Sequence, residues 1–316
     1  MGISHYIKEI GRGARGARPL DRAQAADLFG QVLDGSVTDL EIGAFCLAMR
    51  IKGETPTELA GFLDATAARS RLFSTVAGKP LVVLPSYNGA RKLPLLTPLL
   101  ALLVARAGLP VLVHGSPSED RRITVNDVFP LLGIAPRTTV GAIGNGEVAF
   151  APTELICPGL KRLLDVRRVV GLRNPAHSVV KLMNPCDGPA LLVASYTHPA
   201  YAESMAETFA LLGATALLSR GLEGEVVADP RRTAELTGFR AGAPVQLQAQ
   251  QAGTAAEVPG LPTSIEAADA AAYTRAVLDG ALPLPEPVAR QLEHLLLLAE
   301  SMGAHAPAQP VATETT

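Results

Sequence analysis

From Pro80 onward, short apolar runs alternate with stretches of helical periodicity, and this alternation constrains the fold more than any other feature of the chain. Leu81-Val82-Val83-Leu84, bounded by Pro80 and Pro85-Ser86, has the form of a buried strand. A helix is predicted at about 95–107, a strand at Val111-Leu112-Val113, a helix at about 125–132 and a strand at 147–151. Two further strands, at 190–194 and 215–219, flank a helix at about 200–212. Strands alternating with helices predict a parallel sheet with helices on its faces.

Ahead of Pro80 the period is helical throughout. Asp21 is placed to cap a helix whose apolar positions are Ala25, Leu28, Phe29 and Val32, and Asp34-Gly35 stops it. A second helix runs from about Thr38 to Lys52-Gly53. Thr55-Pro56-Thr57-Glu58 opens a third, with a capping threonine, a first-turn proline and an acid three residues past the cap. The apolar positions of this small unit exceed what three short helices can bury alone, so a homodimer through it is expected. The domain reading is a basic arm at 1–20, a helical dimerisation domain at 21–76 joined by a helical segment near 175–187, an α/β domain at 77–302, and a disordered tail at 303–316. The arm carries Arg12, Arg15 and Arg18 among glycines, as a mobile nucleic-acid contact or a solvated tail.

Composition excludes several classes. With 48% hydrophobic and 18% charged residues the chain is not intrinsically disordered as a whole, and a net charge of −2 excludes a uniformly basic coat protein. Cys46, Cys157 and Cys186 show no paired spacing, which argues against both a disulfide framework and a structural zinc. No apolar run reaches the ~18 residues of a membrane span, so a cytoplasmic protein without membrane partners is expected.

Residues 27–65, with Asp34-Gly35, Ile42-Gly43-Ala44-Phe45 and Met49-Arg50-Ile51-Lys52-Gly53-Glu54-Thr55, resemble the N-terminal helical domain of anthranilate phosphoribosyltransferases. The resemblance covers roughly residues 20–300. It implies an α/β fold with a small all-helical N-terminal domain, in the nucleoside phosphorylase/phosphoribosyltransferase-like two-domain architecture, usually homodimeric. Where the enzymes have a Gly-Thr-Gly-Gly-Asp loop for the diphosphate of phosphoribosyl pyrophosphate, this chain has Ser86-Tyr87-Asn88-Gly89-Ala90-Arg91-Lys92. Thr97 keeps a hydroxyl, and His114-Gly115-Ser116 retains only part of the Lys-His-Gly-Asn-Arg motif. In Gly221-Leu222-Glu223-Gly224-Glu225 the acids of the magnesium-binding turn are displaced, leaving Glu223 and Glu225 as vestiges. Gly171-Leu172-Arg173 and Asn184-Pro185 are kept, the arginine being one that helps hold anthranilate in the enzymes, while His177 stands where the family has Asn. The degenerate donor site is thus Tyr87, Asn88, Gly89, Arg91, Lys92, Thr97 and His114. The combination is similar to the divergent, YbiB-type bacterial branch, described as dimeric nucleic-acid-binding proteins without the transferase activity.

Read without the family, residues 158–181 hold Lys161, Arg162, Arg167, Arg168, Arg173 and Lys181 against the single acid Asp165. A helix at about 159–170 would place Lys161, Arg162, Asp165 and Arg168 near one exposed face, as a phosphate footprint or a solvated face. Aromatics are only 4%, so stacking on bases is a minor element and binding should be phosphate-driven and weakly sequence-dependent. Tyr87 is the one aromatic placed to stack, with core packing its alternative. Two functions follow. One is sequence-independent binding of DNA or RNA with no cofactor. The other is a phosphoribosyl- or glycosyltransferase with an altered acceptor, whose donor site Arg91, Lys92, Thr97, Glu223 and Glu225 would rebuild with magnesium.

Overall fold

The computed structural model describes residues 2–303 except 14, 77–78 and 118–120. The tail read at 303–316 lies outside the described residues, apart from Gly303. Four helices come first: α1 (Ser4–Ile10), α2 (Arg22–Asp34), α3 (Asp39–Lys52) and α4 (Pro56–Ala67). Next come β1 (Ser74–Thr75), β2 (Leu81–Pro85), α5 (Thr97–Arg106), β3 (Val111–His114), α6 (Val125–Val128), β4 (Ala142–Ile143) and β5 (Val148–Ala151). After them run α7 (Thr153–Ile156), α8 (Pro158–Val170), α9 (Ala176–Val179), β6 (Ala190–Ser195), α10 (Pro199–Leu212) and β7 (Ala216–Ser219). The chain continues through β8 (Leu236–Arg240), β9 (Ala243–Gln248), α11 (Ala267–Leu278) and α12 (Glu286–Gly303).

The start signals of the helical unit act as their residue types dictate. Asp21, Thr38 and Thr55 each accept the backbone N–H three residues on, and Gln24, Glu41 and Glu58 each reach back to the cap. Phe29, Phe45 and Phe62 then meet as one aromatic cluster between the helices. Glu58 is fully buried, yet satisfied: it accepts the Leu20 N–H at 2.9 Å and the Lys52 ammonium at 2.6 Å. The arm expected at 1–20 is corrected here, because α1 is folded and packs against α3 with Ile3 and Ile10 buried. The amphipathic SHYIKEI segment was hidden in the sequence by the glycines that follow it.

The main sheet has the order β5-β3-β2-β6-β7-β8-β9. Its first five strands are parallel, but β8 and β9 pair antiparallel, so the all-parallel expectation holds only in part. The β8–β9 hairpin turns through Ala241 (φ 47) and Gly242 (φ 82), two successive left-handed residues that keep the strands twisted correctly. The helix expected at 125–132 breaks after Val128 into a 3-10 turn at Pro130–Leu132, since Pro130 has no N–H to continue the ladder.

Side chains alternate across β2. Val82 and Leu84 join a core with α5, α11 and α12, while Leu81 and Val83 join one that runs through α8–α10 into α2–α4. The helical unit therefore shares a continuous core with one face of the sheet. The joining segment expected near 175–187 is longer, since α8 also packs on α2.

Candidate functional site

Strand order reverses between β2 and β6, with β3 and β5 to one side and β7 to the other. In open α/β sheets ligands bind in the crevice beyond the carboxyl ends of the strands at such a switch point. Here the loop after β2 carries Ser86 to Lys92, and the loop after β6 carries Tyr196 and Thr197. Gly115 lets the β3 exit run against this loop, because a Cβ there would lie 1.9 Å from the Ser86 carbonyl oxygen.

The loop forms a cradle of donors, and the chain's own carboxylates sit in it. Glu225, 2% exposed, accepts the Asn88 and Gly89 N–H groups at 2.8 Å through Oε1. Its Oε2 accepts the hydroxyls of Ser86 at 2.5 Å and Thr97 at 2.8 Å. Glu223 accepts the backbone N–H groups of Arg91 at 2.6 Å and Lys92 at 3.1 Å. The Asn88 amide also donates to the Gly224 carbonyl. Gly224 has φ 85 and a Cβ there would stand 2.7 Å from Asn88 Nδ2, so the glycine that replaces the family's acid is required by this contact.

The degenerate donor site thus comes together in part. Asn88, Gly89, Arg91, Lys92 and Thr97 all meet the two glutamates, but Arg91 and Lys92 do so by main chain, with their side chains exposed. Tyr87 and His114 lie behind the cradle. The Tyr87 hydroxyl lies 2.8 Å from His114 Nδ1, accepts from Thr153 at 3.2 Å, and its ring packs against the core, so it offers no stacking platform. Burial pushes the Tyr87 hydroxyl up and holds the His114 imidazole down to about 3. His114 is fully buried behind the cradle, with Tyr87 as its partner.

The magnesium of the transferase alternative does not fit these acids as they stand. Each carboxylate oxygen of Glu225 already accepts two donors, and Glu223 is taken by the Arg91 and Lys92 amides. A cation would have to expel N–H and O–H groups that point at the same lone pairs. Among the described residues no cluster of three or more His, Cys, Asp or Glu side chains is arranged to hold a metal.

Beside the cradle, a cleft of about 350 Å³ separates α3 and α4 from α9 and the start of α10. Arg50, Arg173, His177 and Lys181 line it, with Tyr196 and Tyr201 opposite. Arg122 donates to the Asn88 carbonyl at 2.8 Å, and Arg173 reaches the Asn88 side-chain oxygen at 3.5 Å. The Lys181 ammonium is pulled down to about 8, first by burial and then by the positive charges of Arg173 and Arg122. Burial, Arg173 and Arg167 likewise hold His177 down to about 4, and its Nε2 is buried without a hydrogen-bond partner.

The basic residues read from the sequence are dispersed. Lys161 and Arg168 both pair with Asp165, at 2.5 and 3.6 Å. Arg162 is exposed, and its guanidinium also donates to the Leu33 carbonyl at 2.7 Å, closing the C-terminus of α2. The reason is tertiary, since α8 lies against α2 and brings that guanidinium over the end of the helix. Arg173 is in the cleft, whereas Arg167 is not among the residues that line it. Arg12 pairs with Glu9 at 2.7 Å beside α1, and the Arg18 N–H bonds the Glu9 carbonyl, so this stretch is held to α1. Arg122 went unnoticed because nothing near it in sequence marks it as a partner of Asn88.

A helical bundle against one face of a mixed sheet, with a cradle at the switch point, defines a phosphoribosyltransferase-fold protein. The description "Glycosyl transferase family, helical bundle domain" matches residues 4–70, which places α1 within that bundle. The chain is 38% identical over 298 residues to the uncharacterized protein YbiB of Escherichia coli, covering 92% of each. It is 27% identical over 245 residues to an anthranilate phosphoribosyltransferase of Salinispora arenicola, covering 75% of this chain and 66% of that one. The structure of anthranilate phosphoribosyltransferase (TrpD) from Thermus thermophilus superposes with a TM-score of 0.69 at 20% identity, over 96% of this chain and 90% of that one. At that identity the superposition establishes the fold alone. The chain belongs to the divergent, YbiB-containing branch of the anthranilate phosphoribosyltransferase-like family.

Proposed function

We propose that the protein is a homodimeric, non-catalytic member of this family that binds nucleic acid through phosphate contacts, without a cofactor. What carries the reading is the concentration of cations from α8 into the cleft. Arg50, Arg173 and Lys181 line the cleft with Glu54 as the one acid beside them, and Arg122 bonds the adjoining Asn88 carbonyl, an excess of positive charge that a polyanion relieves. Lys161 and Arg168 extend it along α8, and Arg12, Arg15 and Arg18 offer a second region. Contacts of this kind read charge, and no base-reading motif accompanies them. Pairing through α3 is supported by Leu40, Leu47 and Ile51, which are 84%, 48% and 61% exposed on one helical face. An apolar groove of about 240 Å³ between α1 and α3 adjoins them.

The transferase reading is the weaker one because the cradle that would grip a diphosphate is filled by Glu223 and Glu225. Incubation with anthranilate, phosphoribosyl pyrophosphate and magnesium is expected to give no turnover, and measurable product would reinstate it. For nucleic acid, labelled single- and double-stranded oligonucleotides are titrated over a salt series. Affinity should fall with a log–log slope of about −0.9 per duplex contact or −0.7 per single-strand contact. Replacing Arg167 and Arg168 together by Ala should weaken all sequences alike and flatten the slope by roughly one to two units. Unchanged affinity and slope in the folded variant would make α8 a merely solvated face. Arg162 is unsuitable for this test because it closes α2.

A further inference from the structure

The cradle has the donor set of an anion site, and its occupant is covalently attached. Two hydroxyls and two N–H groups converge on Glu225, and two more N–H groups converge on Glu223. The turn that delivers them is built for the purpose. Glu223 at φ 53 and Gly224 at φ 85 are successive left-handed residues, a conformation that a glutamate adopts only under strain. That strain persists because both carboxylates are gripped once the turn is made. Arg122 and Arg173 hold the Asn88 side of the loop against it.

We infer that the 222–225 turn is an intramolecular ligand, its two carboxylates standing in for the two phosphoryl groups of a diphosphate and closing the cradle against free anions. The two acids are gripped by successive N–H groups of one loop, at 88–89 and 91–92, and they consume the same kind of donors that backbone nests offer to phosphate. The loop consequently keeps its anion-binding shape while being unavailable to ligand. Removing one carboxylate should reopen it. This inference concerns the cradle, and formate, a single carboxylate, separates it from phosphate contacts in the neighbouring cleft, to which Arg173 also belongs.

The test compares the full chain with Glu225→Ala and Glu223→Ala by thermal unfolding and calorimetry. The probes are sodium formate and metal-free inorganic pyrophosphate, each against sodium chloride at equal ionic strength. The natural chain should not respond to formate beyond chloride, and it should bind pyrophosphate more weakly than either variant. Glu225→Ala leaves four donors unpaired and should melt lower. Either probe should then restore about 2–4 °C at roughly ten times its dissociation constant. A folded Glu225→Ala that no probe stabilises beyond chloride overturns the inference, as does a natural chain that binds pyrophosphate as tightly as the variants. Should Glu225→Ala fail to fold, Glu223→Ala decides, because its carboxylate is half-exposed and holds only the Arg91 and Lys92 amides. Tighter pyrophosphate binding by that variant than by the natural chain supports the inference, and absence of both heat and shift overturns it.

Discussion

Glu58 and Arg162 both carry charge against the helical unit, and they differ in what their removal leaves behind. Without Glu58, the Lys52 ammonium, whose side chain is only 8% exposed, and the Leu20 N–H lose their partner inside the fold. Glu58→Ala is therefore expected to cost about 3–5 kcal/mol. Arg162→Ala frees one carbonyl near water and should cost about 1 kcal/mol. Urea unfolding of the two variants checks the order, and equal losses would show that Glu58 is not the buried anchor described. His177 sets a pH dependence. Its imidazole is held down to about 4, against an ordinary 6.5, by burial and by Arg173. Between those values the unfolded chain binds more protons than the folded one, so stability falls as the pH falls. The contribution is complete above about pH 6.5 and is lost on acidification through about 4. His177→Asn should flatten melting temperature against pH across that window, and an unchanged curve would assign the acid sensitivity elsewhere, His114 being the next group of the same sign.

Helices α1 and α3 show how an element acquires a role from its neighbours. Helix α3 turns Phe45, Cys46 and Met49 inward and leaves Leu40, Leu47 and Ile51 outward, so it is apolar on two sides. The inward face meets α1 and the phenylalanines of α2 and α4, and Leu40, Leu47 and Ile51 stay exposed. Ile51→Asp is expected to convert a dimer to a monomer in sedimentation at micromolar concentration while leaving the circular dichroism unchanged. A natural chain that is already monomeric there would reject pairing through α3. The same dependence on neighbours separates α8 into working parts: Leu160, Leu163 and Leu164 bury it, Arg162 closes α2, and Lys161 and Arg168 pair with Asp165.

At the scale of the molecule, the helical unit is not a separate folding body. Its aromatic cluster belongs to the same apolar core as Leu81, Val83 and Leu192 on the sheet. Unfolding followed by calorimetry and by tyrosine fluorescence should therefore show one cooperative transition. An isolated 21–76 fragment should not fold stably, since it leaves behind both α1 and the α8–α10 layer. Two resolved transitions, with the helical unit melting first, would contradict this.

Much of this protein is decided locally. Asp21, Thr38 and Thr55 with their partners three residues on mark the helix starts, and the apolar runs at 81–84 and 190–194 mark strands, because caps and strand periodicity act within a few residues. The altered motifs at 86–92 and 221–225 were likewise legible as departures from an enzyme. The structure alone decided what they became. Ser86 and Glu225 are 139 residues apart, and nothing near either announces the other. The antiparallel pairing of β8 with β7 and the bond from Arg162 to the end of α2 have the same origin, since both join segments far apart in the chain. A carboxylate's role depends on the donors that surround it, and only the packed chain brings those donors to Glu225.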